Sequence, residues 1–302
     1  MNLSKIELLA EFGFNYDPFD DDGLETADRI RLKRILAISI QSRGMVSVVG
    51  DRGIGKTKAV KAALVNLDAL VVKIRPADKE RLLISDIEQE IIFKLSDDQP
   101  RRGKVIRTRQ LRRILGEASR KKKVVVVIEE GHRLHGQTLR SLKSLRELDW
   151  MGEENLFSVI LVGQSDPMNK PGVSEVRLRT DCIQMHGLVG DEIKQYIERT
   201  VGSAFEDETI EFLAKSLKRA NFLDLQQVLV DCMFRAMAAG RDMVTLEDLG
   251  DDSALTVSKT DQAKQKRSRP TDGKAEQRGS AIKNVLNRRL GNPPDKQMAA
   301  AG

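Results

Sequence analysis

The stretch from Met45 to Lys58 constrains this chain more than any other. Met45-Val46-Ser47-Val48-Val49, rich in β-branched residues, runs straight into Gly50-Asp51-Arg52-Gly53-Ile54-Gly55-Lys56-Thr57-Lys58. The spacing G-x-x-x-x-G-K-[ST] is met at every fixed position. Glycines there let backbone N–H groups close around phosphate oxygens, Lys56 reaches the β and γ phosphates, and Thr57 is placed for Mg²⁺. Beyond Gly55 the pattern turns helical, with Ala59, Val60, Ala63 and Leu64 on one side. A phosphate bound to this loop would therefore face a helix N-terminus, where unpaired amides and the dipole both favour anions. A strand, this loop and an amphipathic helix in succession predict an α/β domain with a parallel sheet, in which residues 50 to 58 cradle a nucleotide.

The 302 residues, 40% of them hydrophobic, suffice for one such domain and a small appended one, and no apolar run approaches the roughly 20 residues that span a bilayer. The first residues lack the basic head and apolar stretch of a secretory signal, and the two cysteines, Cys182 and Cys232, are too few for a disulfide framework. Together these predict a cytoplasmic protein. His132 and His135 lie three apart with no matching pair elsewhere, so surface or second-layer histidines are expected rather than a metal centre.

Four of the twelve aromatic residues fall in Phe12-Gly13-Phe14-Asn15-Tyr16-Asp17-Pro18-Phe19. Two readings stand side by side: a plug closing one end of the sheet, or a wall in which Tyr16, Pro18 or Phe19 borders a base. A helix over 26 to 43 follows, and after the phosphate loop and its helix a buried strand runs from Ala69 through Arg75 until Pro76 stops it. Helices are predicted over 82 to 95 and, carrying eleven basic residues against the single acid Glu117, within 101 to 123. Such one-sidedness points to a polyanionic partner over a merely solvated face.

Val124-Val125-Val126-Val127-Ile128 lacks alternation, as strands buried on both faces do, and it ends in Glu129-Glu130. An acid at that place in a phosphate-loop ATPase holds the Mg²⁺ shell and a second orients the attacking water, so Glu129 is assigned to the metal and Glu130 to water activation. A helix over 137 to 150 leads to the strand 156 to 163, whose polar end residue Gln164 is placed to sense the γ phosphate. A final strand is expected over 182 to 186. Helical patterns over 191 to 200, 207 to 218 and 224 to 239 form a second domain, and Thr245 with Asp248 fits a capping box. From Lys259 onward eleven basic residues oppose four acids, and a disordered basic tail is expected, with an amphipathic docking peptide near 282 to 290.

Four features together resemble the AAA+ ATPases, specifically the group containing the phage Mu B protein, TnsC and TniB of transposons, and the ATPase domain of ExeA. They are Phe12 to Phe19, Gly50 to Thr57, Ile128-Glu129-Glu130-Gly131-His132-Arg133-Leu134 and Leu161-Val162-Gly163-Gln164, and the likeness covers roughly 8 to 250. It implies an N-terminal segment (1–44), a nucleotide-binding α/β domain (45–188), a helical lid (189–257) and the basic tail (258–302). By the same likeness the protein binds ATP and Mg²⁺ at subunit interfaces and oligomerises around double-stranded DNA as a ring or filament. It would then stimulate a DDE transposase. Arg179, with Arg177 as fallback, matches the position of an arginine finger, and Lys79, Arg101, Arg102 and Lys104 match the DNA contacts. Glu129 stands where an aspartate is usual, and residues 221 to 226 lack the usual lid arginine, which implies slow turnover; Arg219 lies slightly early. An ExeA-like secretion motor and a replication initiator or helicase loader share the core and are the competing readings.

Overall fold

The computed structural model describes residues 4–20, 23–75 and 82–250. Helix α1 (Lys5–Glu11) starts at a capping box between Ser4 and Glu7, and a 3-10 turn over Pro18–Asp20 follows. Helix α2 (Ala27–Gln41) is capped by the Thr26 hydroxyl, which accepts from the Arg29 amide. Strand β1 (Met45–Val49) leads through the glycine loop into α3 (Lys56–Val65), and β2 (Ala69–Ile74) follows. Then come α4 (Ile84–Leu95), α5 (Lys104–Lys121), β3 (Lys123–Ile128), α6 (Gly136–Arg146) and β4 (Ser158–Gly163). A short α7 (Ser174–Arg177) precedes β5 (Thr180–Gln184).

The five strands form one parallel sheet in the order β2-β3-β4-β1-β5. Val124, Val126 and Ile128 face one apolar cluster with α4, α5 and α6, while Val125 and Val127 face another with α2 and α3. Period-two strands covered by helices on both sides are apolar at every position, which is why the valine run does not alternate. Register puts Val49 opposite Gly163 and Ile128 opposite Leu161, so the C-terminal ends of β1, β4 and β3 come level in a row.

Several expected boundaries shift. The helix expected to reach Trp150 ends at Arg146, because the chain turns back at Trp150, whose ring lies against Gly116 of α5. A Cβ at Gly116 would come within 2.2 Å of that ring. The basic helix starts at Lys104, after a loop, and the last strand runs Thr180–Gln184 as an edge strand paired only with β1.

The C-terminal part is helical. Strand β6 (Leu188–Val189) pairs antiparallel with β7 (Arg219–Ala220) around α8 (Asp191–Val201) and α9 (Asp207–Ser216), and α10 (Phe222–Ala238) completes it. These helices enclose a third apolar cluster that also takes in Leu8, Leu9 and Phe19, with Phe12 and Phe14 against it. The aromatic plug thus packs on the helical part rather than on the sheet. Thr245 and Asp248 form the expected capping box. The basic tail, its docking peptide and Lys79 lie outside the described residues.

Candidate functional site

Gly53 and Gly55 adopt φ of 86° and 83°, a region that a side chain disfavours, and Gly55 sits at the N-terminus of α3. At Gly53 space forbids one as well, since a Cβ would lie 2.4 Å from the Asn221 Oδ1. The Lys56 ammonium donates to the carbonyls of Gly50 (2.8 Å) and Asp51 (2.7 Å), which fixes it over the loop. Burial pulls its pKa below the ordinary lysine value, against the opposing attraction of Asp51 and Glu130.

Level strand ends put the candidate groups around one cavity of about 230 Å³. Lys56 and Thr57 from the loop, Glu129 and Glu130 beyond β3, and Gln164 beyond β4 all line it, with Arg52, Gly53, Gly55 and Lys58. Glu129 is also gripped by the Arg75 guanidinium at the end of β2, with Nε 2.8 Å from Oε2 and a second contact of 3.3 Å to Oε1. Glu130 has a left-handed φ of 54° and lies 3.6 Å from His132 Nε2 and 3.4 Å from Arg133 Nε. Thr57 and Glu129 offer a hydroxyl and a carboxylate on the same cavity. Among the described residues no group of three or more His, Cys, Asp or Glu is placed to hold a metal. Such a sparse donor set fits Mg²⁺, which takes one or two protein ligands and completes its octahedron with phosphate oxygens and water.

A second cavity, of about 400 Å³, shares Gly53, Gly55 and Lys58 with the first and lies towards the helical part. Its walls include Phe19, Arg29, Tyr196, Phe222 and Gln226. Tyr196 and Phe222 meet edge to face at 5.3 Å, and the Gln226 amide donates to the Tyr196 hydroxyl at 2.7 Å. Of the three residues named as possible walls for a base, Phe19 lines this cavity and is buried, whereas Tyr16 is 72% exposed. Lys5, Asp17 and Asp20 line it as well, so the cavity beside the glycine loop combines an aromatic wall with a charged one.

The helical part reaches the loop directly. Asn221, which caps α10, donates through Nδ2 to the Arg52 carbonyl at 2.5 Å. Arg219, on β7, is exposed and lines neither cavity. Two carboxylates tie the junction: Asp28 accepts from the amides of His186 and Gly187, and Glu192 accepts from those of Ala27 and Val189. Arg179 lies elsewhere, on the surface between α7 and β5, ion-paired with Glu147, and Arg177 is exposed at the end of α7.

Arg101 and Arg102 are exposed on the loop before α5, and Lys104 is exposed at its first position. This loop is held from beneath. Arg107, buried, pairs with buried Glu88 at 2.7 Å and donates to the carbonyls of Arg101 and Arg102, while Gln110 accepts from the Arg101 amide. Not all of the basic charge faces outwards unopposed, since Arg112 pairs with Asp149, Arg113 with Asp98 and Lys122 with Asp68.

Arg75 and Asn221 escaped the sequence reading, which expected His132 only as a surface or second-layer histidine. His132 had a signal in its position two residues after Glu130. The other two had none, because nothing local marks them.

Residues 39–168 match the family model described as an AAA domain. No curated protein matches in sequence. Among solved structures, the chain resembles Cdc6p from Pyrobaculum aerophilum, with TM-score 0.57 and 17% identity over 80% of this chain and 69% of that one. The ORC2 protein of Aeropyrum pernix, solved as ADPNP-ADP complexes, gives TM-score 0.55 and 16% identity over 82% and 71%. ORC1 of the same organism, solved in complex with DNA, gives 0.51 and 14% over 87% and 73%. These likenesses establish the fold.

Proposed function

We propose that the protein is an ATP-dependent, sequence-tolerant DNA-binding switch that oligomerises on duplex DNA and recruits or stimulates a DDE transposase, with hydrolysis driving release. The observation that carries the reading is the one cavity onto which Lys56, Thr57, Glu129, Glu130 and Gln164 converge within an AAA domain. In this arrangement the loop amides and Lys56 hold the β and γ phosphates at the N-terminus of α3. Thr57 and Glu129 would hold Mg²⁺, which when bound draws charge off the phosphate oxygens. Glu130 accepts a proton from water as the water oxygen bonds to the γ phosphorus and the bond to the bridging oxygen breaks, releasing ADP. Gln164 hydrogen-bonds the γ phosphate, so that its loss is felt at the end of β4. Arg179 would complete the site of a neighbouring subunit, for which its surface position is suitable.

The DNA half rests on Arg101, Arg102 and Lys104, exposed on a loop that the buried Arg107 holds fixed. Lys and Arg on phosphates carry no base code, so binding should tolerate sequence and fall steeply with salt. That a structure of the same fold was solved on DNA supports a DNA partner. The fold likeness to Cdc6p and the ORC proteins also favours a second reading, a replication initiator or helicase loader.

The deciding experiment measures binding to a long arbitrary duplex with ATP, ADP or no nucleotide, at two salt concentrations, with electron micrographs of the same samples. ATP-dependent, salt-sensitive coating that is lost in Lys56→Ala is expected. Absence of DNA binding in every nucleotide state would sink the reading and turn attention to a secretion-type motor. Stimulated strand transfer by a DDE transposase, against stimulated loading of a replicative helicase, then separates the first reading from the second.

A further inference from the structure

The imidazole of His132 stands between two of the groups that the proposed reaction uses. Its Nδ1 accepts the backbone N–H of Gln164 at 3.3 Å, and its Nε2 lies 3.6 Å from the Glu130 carboxylate. Acceptance at Nδ1 fixes the tautomer of the neutral ring, with the proton on Nε2, on the side of Glu130. At 3.6 Å that contact steers the carboxylate electrostatically without tying up its lone pairs in a hydrogen bond, which leaves them open to a water. The ring is packed closely. A Cβ on Gly163 would come within 3.0 Å of the His132 amide nitrogen and 3.2 Å of Nδ1, so only a bare glycine lets β4 approach this far. Burial holds the imidazole pKa below the ordinary value, favouring the neutral form, though Glu130 pulls the other way while Arg133, Lys170 and Lys56 add to the lowering.

From this geometry we propose that His132 is a positioning residue that couples Glu130 to the end of β4, so that the water-activating carboxylate and the γ-phosphate-facing Gln164 move as one unit. The inference rests on the assignment of Glu130 and Gln164 given above. It accounts for a feature otherwise unexplained: Glu130 is held in a left-handed conformation with its carboxylate near the imidazole. Arg133 Nε also lies 3.4 Å from this carboxylate, but its side chain is 61% exposed and holds weakly, whereas the imidazole is packed in place and restricts the rotamers of Glu130. A positioned general base is commonly worth about 100- to 10,000-fold, and loosening its hold forfeits part of that.

Single-turnover and steady-state ATP hydrolysis by the full chain, with His132→Ala, His132→Asn, Glu130→Gln and the Glu130→Gln/His132→Ala double variant, test it. His132→Ala should lower kcat by about 10- to 100-fold while KM and the affinity for a fluorescent ATP analogue stay within about twofold. His132→Asn, whose amide oxygen can accept from the Gln164 N–H, should recover part of the loss. In the Glu130→Gln background, removing the imidazole should have no further effect, because the group it positions is gone. Wild-type kcat in His132→Ala, a fall in analogue affinity matching the loss of kcat, or effects of the two substitutions that multiply would each overturn the coupling while leaving the site assignment standing. An inactive wild-type protein, or a Glu130→Gln variant as fast as wild type, would instead overturn the assignment and the coupling with it.

Discussion

Arg75 and Glu129 show how one contact can bear on the proposed Mg²⁺ site. The guanidinium competes for the carboxylate that Mg²⁺ would use, but Arg75 is 68% exposed, so the pair is worth no more than about 1 kcal/mol. Arg75→Ala should therefore lower the Mg²⁺ concentration for half-maximal ATP hydrolysis by up to about fivefold, as read from a metal titration of activity. An unchanged or higher requirement would mean that Arg75 does not compete with Mg²⁺ for the Glu129 carboxylate. Asp248 presents a titration at the same scale. Burial raises its carboxyl pKa, but hydrogen bonds from Arg241 and Thr245 outweigh this, and the net result lies below the ordinary 3.8. A carboxylate depressed in the fold stabilises above its unfolded pKa and loses that contribution as pH falls through the folded value. Asp248→Asn should flatten the acid limb of the stability curve below about pH 4, as followed by thermal melts.

At the scale of elements, α4 and α5 are joined through charge as well as through apolar packing. The Arg107 and Glu88 side chains are only 10% and 5% exposed, and the same guanidinium fixes the loop that carries Arg101 and Arg102. Arg107→Ala should cost about 3–5 kcal/mol in denaturant unfolding, because Glu88 would remain buried and uncompensated. Replacing both residues with methionine should restore most of that stability. The double variant still lacks the grip on the loop, so its DNA affinity should stay reduced, and that separates the loop's rigidity from the fold's stability. Recovery of full DNA affinity would show that the loop needs no clamp.

Across the whole molecule, the helical part and the sheet meet where α10 caps onto the phosphate loop, where Asp28 accepts the His186 and Gly187 amides, and where Glu192 accepts that of Ala27. Asp28→Ala leaves two backbone donors without that acceptor, and the weakened docking should reduce ATP affinity by about tenfold in equilibrium titration, close to what one lost hydrogen bond to a charged group is worth. Equal ATP affinity would mean that the docking contributes nothing to the nucleotide site. Among the described residues no helix is long and apolar enough to cross a membrane. The phosphate loop, the buried valine strand with its acidic tip, and the polar end of β4 were legible in the sequence, because each is a local pattern of a few residues whose chemistry and periodicity carry the information. The aromatic cluster was legible only as something that must pack: Phe19 closes on the helical cluster rather than on the end of the sheet, and it also lines the second cavity. The partners of Arg75, His132 and Asn221 were decided by the tertiary structure alone. They lie 54, 32 and 169 residues away along the chain, and only the level ends of a parallel sheet and the docking of a separate helical part bring such distant groups within hydrogen-bonding reach.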